Sequence, residues 1–230
     1  MDRERFGEAC LNIGLKLSDE QLASFESFEE NLYRANEVMN LTRVPQEECW
    51  LRHFLDSLLF QDLIPVGASV LDIGTGPGFP AWPLARARPD LQVTALDSGG
   101  KMLGFLRRNP LPNLQTALVR AEEWGVRDEF DVVTGRAVAP LTIQLELSAP
   151  ALKIGGKLIP MRTPMEEELV RSFPAAKLGL AFREVHRREL PGTDVERLFA
   201  VFEKVSPTPD EFPRTWAEIK RRPLGPTSAT

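Results

Sequence analysis

Up to residue 64 the apolar positions of this chain recur every three or four residues. Leu22, Phe25, Phe28, Leu32, Ala35 and Met39 form one such stripe, the spacing of an amphipathic helix with one face to bury. Ser18, with Gln21 three residues on, makes a capping box at its start. Asn40-Leu41-Thr42 interrupts the stripe. It resumes after Pro45 with Leu51, Phe54/Leu55, Leu58/Leu59 and Leu63. On that helix His53 and Asp56 fall three apart and Arg52 and Asp56 four apart, so they are predicted to meet on one side.

From 66 to 205 short apolar runs alternate with helical spacing. The predicted strands are Val70–Ile73, Val93–Leu96, Thr116–Val119, Asp131–Thr134, Lys157–Met161, Leu180–Arg187 and Leu198–Lys204. Between the first five lie helical patterns at Pro80–Ala87, Lys101–Arg108, a short Ala121–Trp124 and Pro140–Leu152, and Met165–Ala175 precedes the sixth. This alternation predicts an α/β fold with a parallel, doubly wound sheet. Only Pro191-Gly192-Thr193-Asp194 separates the last two strands, which are predicted to pair antiparallel. Residues 206–230 carry Pro207, Pro209, Pro213, Pro223 and Pro226 with Arg214 and Lys220-Arg221-Arg222, the composition of an extended or partly ordered basic arm. The chain thus divides into an N-terminal helical extension (1–64), a sheet domain (65–205) and a Pro-rich basic tail (206–230).

Candidate chemistry begins in Val70-Leu71-Asp72-Ile73-Gly74-Thr75-Gly76-Pro77-Gly78-Phe79-Pro80. It reads as a buried strand, a glycine turn and a helix start, which together present N–H groups to an anion. The dinucleotide fingerprint is G-x-G-x-x-G/A; here the spacing is G-x-G-x-G, with Asp72 just before it. A carboxylate there repels a pyrophosphate but suits S-adenosylmethionine, whose amino-acid end carries an ammonium. The second strand ends in Asp97, placed to accept both hydroxyls of a ribose. Methyl-donor binding is therefore favoured over a nicotinamide or flavin site and over a turn without ligand. A seven-stranded sheet closing in a hairpin is typical of class I, Rossmann-like S-adenosylmethionine-dependent methyltransferases. Ligands of such sheets bind beyond the carboxyl ends of the strands, which gathers Asp72, Asp97, Arg120 and Arg136 round one crevice.

Composition narrows the choice only a little. The chain has 230 residues and a net charge of −5, which argues weakly against nucleic-acid binding without excluding a local basic patch. No apolar run is long enough for a membrane span and no signal-peptide core follows Met1, so a cytoplasmic protein is expected. Cys10 and Cys49 show no metal-ligand spacing, and no metal is expected. Neither cysteine follows a sheet strand, which disfavours cytosine C5 methylation through a thiolate. The fourth strand leads into Gly135-Arg136-Ala137-Val138, without the Asn/Asp-Pro-Pro-aromatic loop common in methylation of exocyclic amines. A nucleophile with a free lone pair and no proton to lose, such as guanine N7, needs no general base, and the task reduces to positioning. Arg136 would then reach O6, phosphate or ribose and leave N7 bare; a salt bridge to a nearby carboxylate is its plain structural alternative. For His53 that alternative is a surface or structural histidine.

Taken together, these motifs resemble the RsmG/GidB family of bacterial methyltransferases of small-subunit ribosomal RNA. The likeness runs from about Asn36 to about Leu224. It rests on Asn40-Leu41-Thr42, Arg52-His53-Phe54-Leu55-Asp56-Ser57-Leu58, the glycine stretch through Pro83, Asp97-Ser98-Gly99-Gly100-Lys101, Phe105-Leu106-Arg107, Arg120-Ala121-Glu122-Glu123, Gly135-Arg136-Ala137-Val138-Ala139, Phe212-Pro213-Arg214 and Arg222-Pro223-Leu224. It implies methyl transfer from S-adenosylmethionine to N7 of a guanine in the 530 loop of 16S ribosomal RNA, with RNA of the small subunit as partner; a monomer is expected. It implies a donor pocket of Asp72, Gly74, Thr75, Gly76, Gly78, Phe79, Asp97, Ser98, Ala121, Glu122 and Arg136. It assigns Asn40, His53, Lys101, Arg120 and Arg197 to RNA, and His53, Lys101, Arg120 and Arg136 to the active site. Departures from the family pattern are Met102 and Gly104 after Lys101, Gly135 in place of a serine, Arg162-Thr163 in place of Lys-Gly, and no tryptophan in the helix before Asn40. A methyltransferase of a small molecule or protein, a nicotinamide-dependent oxidoreductase and a ribosome-binding module without chemistry are the competing readings.

Overall fold

The computed structural model describes residues 1–225; Pro226, counted above with the tail, lies outside them. Seven strands form one sheet in the order β3-β2-β1-β4-β5-β7-β6. They are β1 (Ser69–Ile73), β2 (Gln92–Asp97), β3 (Leu114–Leu118), β4 (Phe130–Arg136), β5 (Leu152–Arg162), β6 (Leu180–Glu189) and β7 (Glu196–Lys204). Strands β1 to β5 run parallel, whereas β7 is antiparallel to both β5 and β6. The sheet and the closing hairpin are those predicted. Strand order reverses between β1 and β4, so a crevice opens at their carboxyl ends.

Period-two alternation assigns the two faces of β1. Val70 joins one core, and Leu71 and Ile73 join the other. The first core is covered by α1 (Arg3–Asn12), α2 (Asp19–Met39), α4 (Ala81–Ala87) and α5 (Gly100–Arg107). It is notably aromatic. Phe28 stacks on Trp82 with ring centroids 4.0 Å apart, Phe25 meets Trp82 edge-on at 5.3 Å, and Phe6 meets Phe25 at 4.9 Å. The N-terminal helices therefore share a core with the sheet rather than forming a separate one. The predicted capping box of Ser18 and Gln21 is present at the start of α2. The other face is covered by α6 (Leu141–Ser148) and α7 (Glu167–Ser172).

Two predicted segments differ. After Pro45 the chain forms a 3-10 turn (Gln46–Glu48), a π-helix (Trp50–Leu55) and α3 (Asp56–Leu58), not one regular helix. A π turn bonds i to i+5, and Asp56 is taken up by Arg136 and Arg197. Arg52 pairs with Glu48 at 2.6 Å instead of with Asp56. The tail is not an extended arm over its described length. Arg127 donates to the carbonyls of Thr208 and Phe212, Arg214 pairs with the fully buried Glu146, and α8 (Trp216–Arg221) follows. Phe212 and Ile219 are buried, and Thr215 with Glu218 supplies a capping box. No helix among the described residues is long and apolar enough to cross a membrane.

Candidate functional site

Two crevices open at the carboxyl ends of the strands and share Ala137 and Ala139 as a common wall. The first, about 330 Å³, is lined by Gly74, Asp97, Ser98, Arg120, Ala121 and Glu122 among the expected residues. Ile73, Leu96, Val119, Val138, Leu147 and Trp216 complete it. Its size falls within that of small-molecule sites, about 300–1,000 Å³.

Main-chain geometry builds this first crevice. Gly74, Gly76 and Gly78 all have positive φ, the region that glycine enters without steric cost. The Asp97 carboxylate accepts from Gly76 N at 2.8 Å and from Gly99 N at 2.7 Å, so it ties the glycine turn to the end of β2. A Cβ on Gly76 would meet no protein atom within 4 Å, whereas one on Gly78 would come within 2.8 Å of Leu106. Gly76 is thus open to a ligand, and Gly78 serves close packing. Asp72 lies behind the turn, fully buried; its Oδ2 accepts from Ala81 N at the start of α4, and its Oδ1 has no partner. Burial pushes its carboxyl up to about 7. The Thr75 hydroxyl is also buried without a partner. A ligand bringing a cation to this turn would satisfy the carboxylate, and adenosine would sit between Asp97 and the β3 end. The residues present fit S-adenosylmethionine.

The second crevice, about 470 Å³, is lined by Val44, Arg52, His53, Asp56, Arg136, Met161, Arg162, Thr163, Glu166 and Arg197 with the shared wall. Charged side chains bind one another here. Asp56, 1% exposed, accepts from Arg197 Nε at 2.7 Å and from Arg136 Nη1 at 3.1 Å. Arg136 also donates to the Arg52 carbonyl and to His53 Nδ1, each at 3.1 Å. An arginine can only donate, so His53 Nδ1 accepts and Nε2 carries the hydrogen toward Thr42 Oγ1, 2.6 Å away. The ring lies parallel on Phe79, centroids 4.2 Å apart, and the Arg136 guanidinium sits 5.3 Å from the same Phe79 ring. Burial first, then Arg136 and Arg52, lower the His53 pKa to about 3. His53 is therefore neutral, with both nitrogens committed.

The structure brings Arg136, His53 and Arg197 of the expected residues into this second crevice. Phe79 packs beneath it rather than in the first crevice, and Arg136 stands on its side of the shared wall. The salt-bridge alternative for Arg136 is present, with Asp56 as partner. Lys101 and Asn40 line neither crevice; Lys101 is exposed on the first turn of α5, and Asn40 is the left-handed cap of α2. Arg120 is held by Glu122 at 2.6 Å and lies over the Trp216 ring. Two departures from the family pattern have local reasons. A Cβ on Gly135 would come within 2.6 Å of the Ile73 carbonyl. Arg162 is buried, donating at 3.0 Å to both Ala139 O and Gln144 Oε1, so its charge braces the shared wall. Ala137 there has a φ of 54, a strained conformation that clusters at functional sites.

Sequence reasoning missed Thr42, Glu166 and Trp216. The Thr215–Glu218 capping box was the available signal for Trp216; Thr42 stood in the Asn40-Leu41-Thr42 stretch without a role of its own, and Glu166 joins the site only through the tertiary fold.

Comparison with solved structures places the fold. A TehB-like SAM-dependent methyltransferase from Corynebacterium glutamicum superposes with a TM-score of 0.52 at 16% identity, covering 78% of this chain and 99% of that one. M. jannaschii TYW2 in complex with AdoMet gives a TM-score of 0.53 at 19% identity, covering 65% and 74%. The architecture is the class I, Rossmann-like methyltransferase fold. Among sequences, a ribosomal RNA small subunit methyltransferase G from Lactobacillus delbrueckii subsp. bulgaricus is 36% identical over 97% of this chain and 100% of its own length. Another, from Carboxydothermus hydrogenoformans, is 39% identical over 92% and 95%. The family GidB, described as rRNA small subunit methyltransferase G, matches residues 21–189. With that match spanning most of the chain, and relatives alike over nearly their whole length, the chain belongs to the rRNA small subunit methyltransferase G family.

Proposed function

We propose that this protein methylates N7 of a guanine in the 530 loop of 16S ribosomal RNA, with S-adenosylmethionine as donor. The observation that carries the reading is the pair of crevices on one wall, one fitted to the donor and the other lined by arginines. Family membership supports ribosomal RNA as the substrate. S-adenosylmethionine, when bound, supplies an electrophilic methyl group. Asp72, Gly74, Thr75, Gly76, Asp97, Ser98, Ala121 and Glu122 would hold it.

Two titratable side chains of the second crevice are unavailable as bases. His53 offers no free lone pair, and Asp56 is neutralised by two guanidinium groups. Cys10 and Cys49 are buried, and burial drives both thiols well above the ordinary range, so no thiolate nucleophile is at hand. Guanine N7, with its lone pair in place, requires only alignment. Arg136 and Arg197 supply cationic contacts to O6 or phosphate. The exposed Lys101, Arg120 and Asn40 extend an RNA surface beyond the crevice. We take the protein to act as a cytoplasmic monomer on RNA of the small subunit, without a metal.

The test is transfer of labelled methyl to small subunits lacking the modification, with naked 16S RNA alongside, followed by nucleoside identification. Label in 7-methylguanosine is expected, weakening steeply as salt rises. Label on a protein or a small molecule, or none, overturns the reading. Arg136→Ala is expected to lower turnover at least about 100-fold while the fold persists; normal turnover removes Arg136 from the mechanism.

A further inference from the structure

The second crevice holds one carboxylate that its neighbours leave partly free. Asp56 uses both oxygens on Arg136 and Arg197 and is 1% exposed. Glu166, at the end of the turn Pro164–Glu166 after β5, gives Oε1 to Arg162. Its Oε2 makes no hydrogen bond among the described residues, and its side chain is 29% exposed. Arg162 is itself fixed to Ala139 O and Gln144 Oε1. Glu166 is thereby pinned, through a buried guanidinium, to the wall that both crevices share.

A carboxylate so held retains one lone pair on Oε1 and both on Oε2, enough for two parallel N–H donors. Of the four RNA bases, guanine alone presents two adjacent donors on its Watson–Crick edge, N1–H and the N2 amine. Adenine and cytosine set one amine beside a bare ring nitrogen, and uracil sets one N–H between two carbonyls. Guanine N7 belongs to the opposite edge, so binding through N1 and N2 leaves the methyl acceptor uncovered. A flipped or unstacked base is commonly read by this edge.

We propose that Glu166 selects the target base, accepting from N1–H and the N2 amine of guanine in the second crevice; this rests on the guanine-N7 reading above. Inosine tests it, because it keeps N7, O6 and N1–H but lacks the amine. Methyl transfer is measured on RNA bearing guanine or inosine at the target position, with wild type, Glu166→Gln and Glu166→Ala. Wild type should favour guanine by about 10- to 100-fold, the worth of a bidentate base contact. Both variants should bring the ratio near one, chiefly by slowing the guanine substrate, while affinity for S-adenosylhomocysteine is unchanged. A wild-type ratio near one overturns the proposal, whatever the variants do. So does a variant that keeps the wild-type ratio; Glu166→Gln preserves the volume and an acceptor for Arg162 should Glu166→Ala fail to fold. Absence of 7-methylguanosine from wild type on guanine RNA would instead sink the guanine-N7 reading itself.

Discussion

The two crevices meet at one wall but are built by different means. The first crevice, the one proposed for the donor, is gathered round the glycine turn and the ends of β1, β2, β3 and β4. Its shape follows from sheet register, with Ile73 opposite Leu96 and Asp72 opposite Ala95. The arginine-lined crevice is mostly long side chains from four separate stretches, 44–56, 136–139, 161–166 and 197. Hydrogen-bonded backbone supports the first, and mutual charge supports the second. A site of the first kind should lose affinity in proportion to the group removed. A site of the second kind should fail as a unit, because taking one ion out leaves the others uncompensated.

The sharpest way to break that contrast is Asp56→Ala. It strips the shared partner from Arg136 and Arg197. Breaking a buried pair costs about 3–5 kcal/mol, and because both arginines stay partly solvated the lower end applies, about 3 kcal/mol. Urea denaturation measures it. Methylation should fall at least about 100-fold, while affinity for S-adenosylhomocysteine stays within about twofold, as for a site apart. An equal loss of donor affinity would show that the two crevices are one cooperative structure.

Asp72→Asn probes the other side, with a smaller effect on turnover and a distinctive one on pH. In the folded chain without donor, Asp72 titrates at about 7, against 3.8 in the unfolded chain. Between those values the folded state holds a proton that the unfolded state has lost. Stability therefore falls as pH rises from about 4 to about 7 and is level above. The asparagine removes this slope, so its melting temperature should match wild type near pH 4 and exceed it at pH 8. Donor-analogue affinity should drop about 10- to 100-fold, the worth of a hydrogen bond to a charged group. A variant that loses stability at pH 8 would show that the orphaned carboxylate has a partner.

The same contrast explains what could be read from the sequence. The sheet, its closing hairpin and the glycine turn beside Asp97 were legible because each depends on local period: β1 runs into its glycine turn, and Asp97 ends the next strand. β3 begins at Leu114 rather than Thr116 because its residues, at the sheet edge, are all half-buried or exposed and give little alternation. The π turn over Trp50–Leu55 was hidden, since an apolar stripe one turn long does not distinguish bonds four residues apart from bonds five apart. The order of the tail was hidden too. Arg214 finds its partner in Glu146, 68 residues earlier in a fully buried helix. Asp56 and Arg197 are 141 residues apart. Arg136 could be placed from its strand end, but the acid that holds it could not be paired with it from spacing.

Trp216 gives the smallest expected effect and tests which crevice the tail serves. Its indole lines the donor crevice beside Leu147 and Ala121. The Arg120 guanidinium lies 5.3 Å and the Lys220 ammonium 5.6 Å from its ring centroid. The helix carrying it is anchored elsewhere, by Arg214 on Glu146 and by the buried Ile219. Trp216→Ala should therefore leave the tail in place and remove only a wall. Loss of one aromatic contact amounts to about three- to tenfold in affinity for S-adenosylhomocysteine, with Trp216→Phe restoring most of it. Turnover at saturating donor should be unchanged, because this residue does not line the second crevice. A fall in RNA affinity with donor affinity intact would move the tail to the acceptor side. The basic run Lys220-Arg221-Arg222 would then be its point of contact.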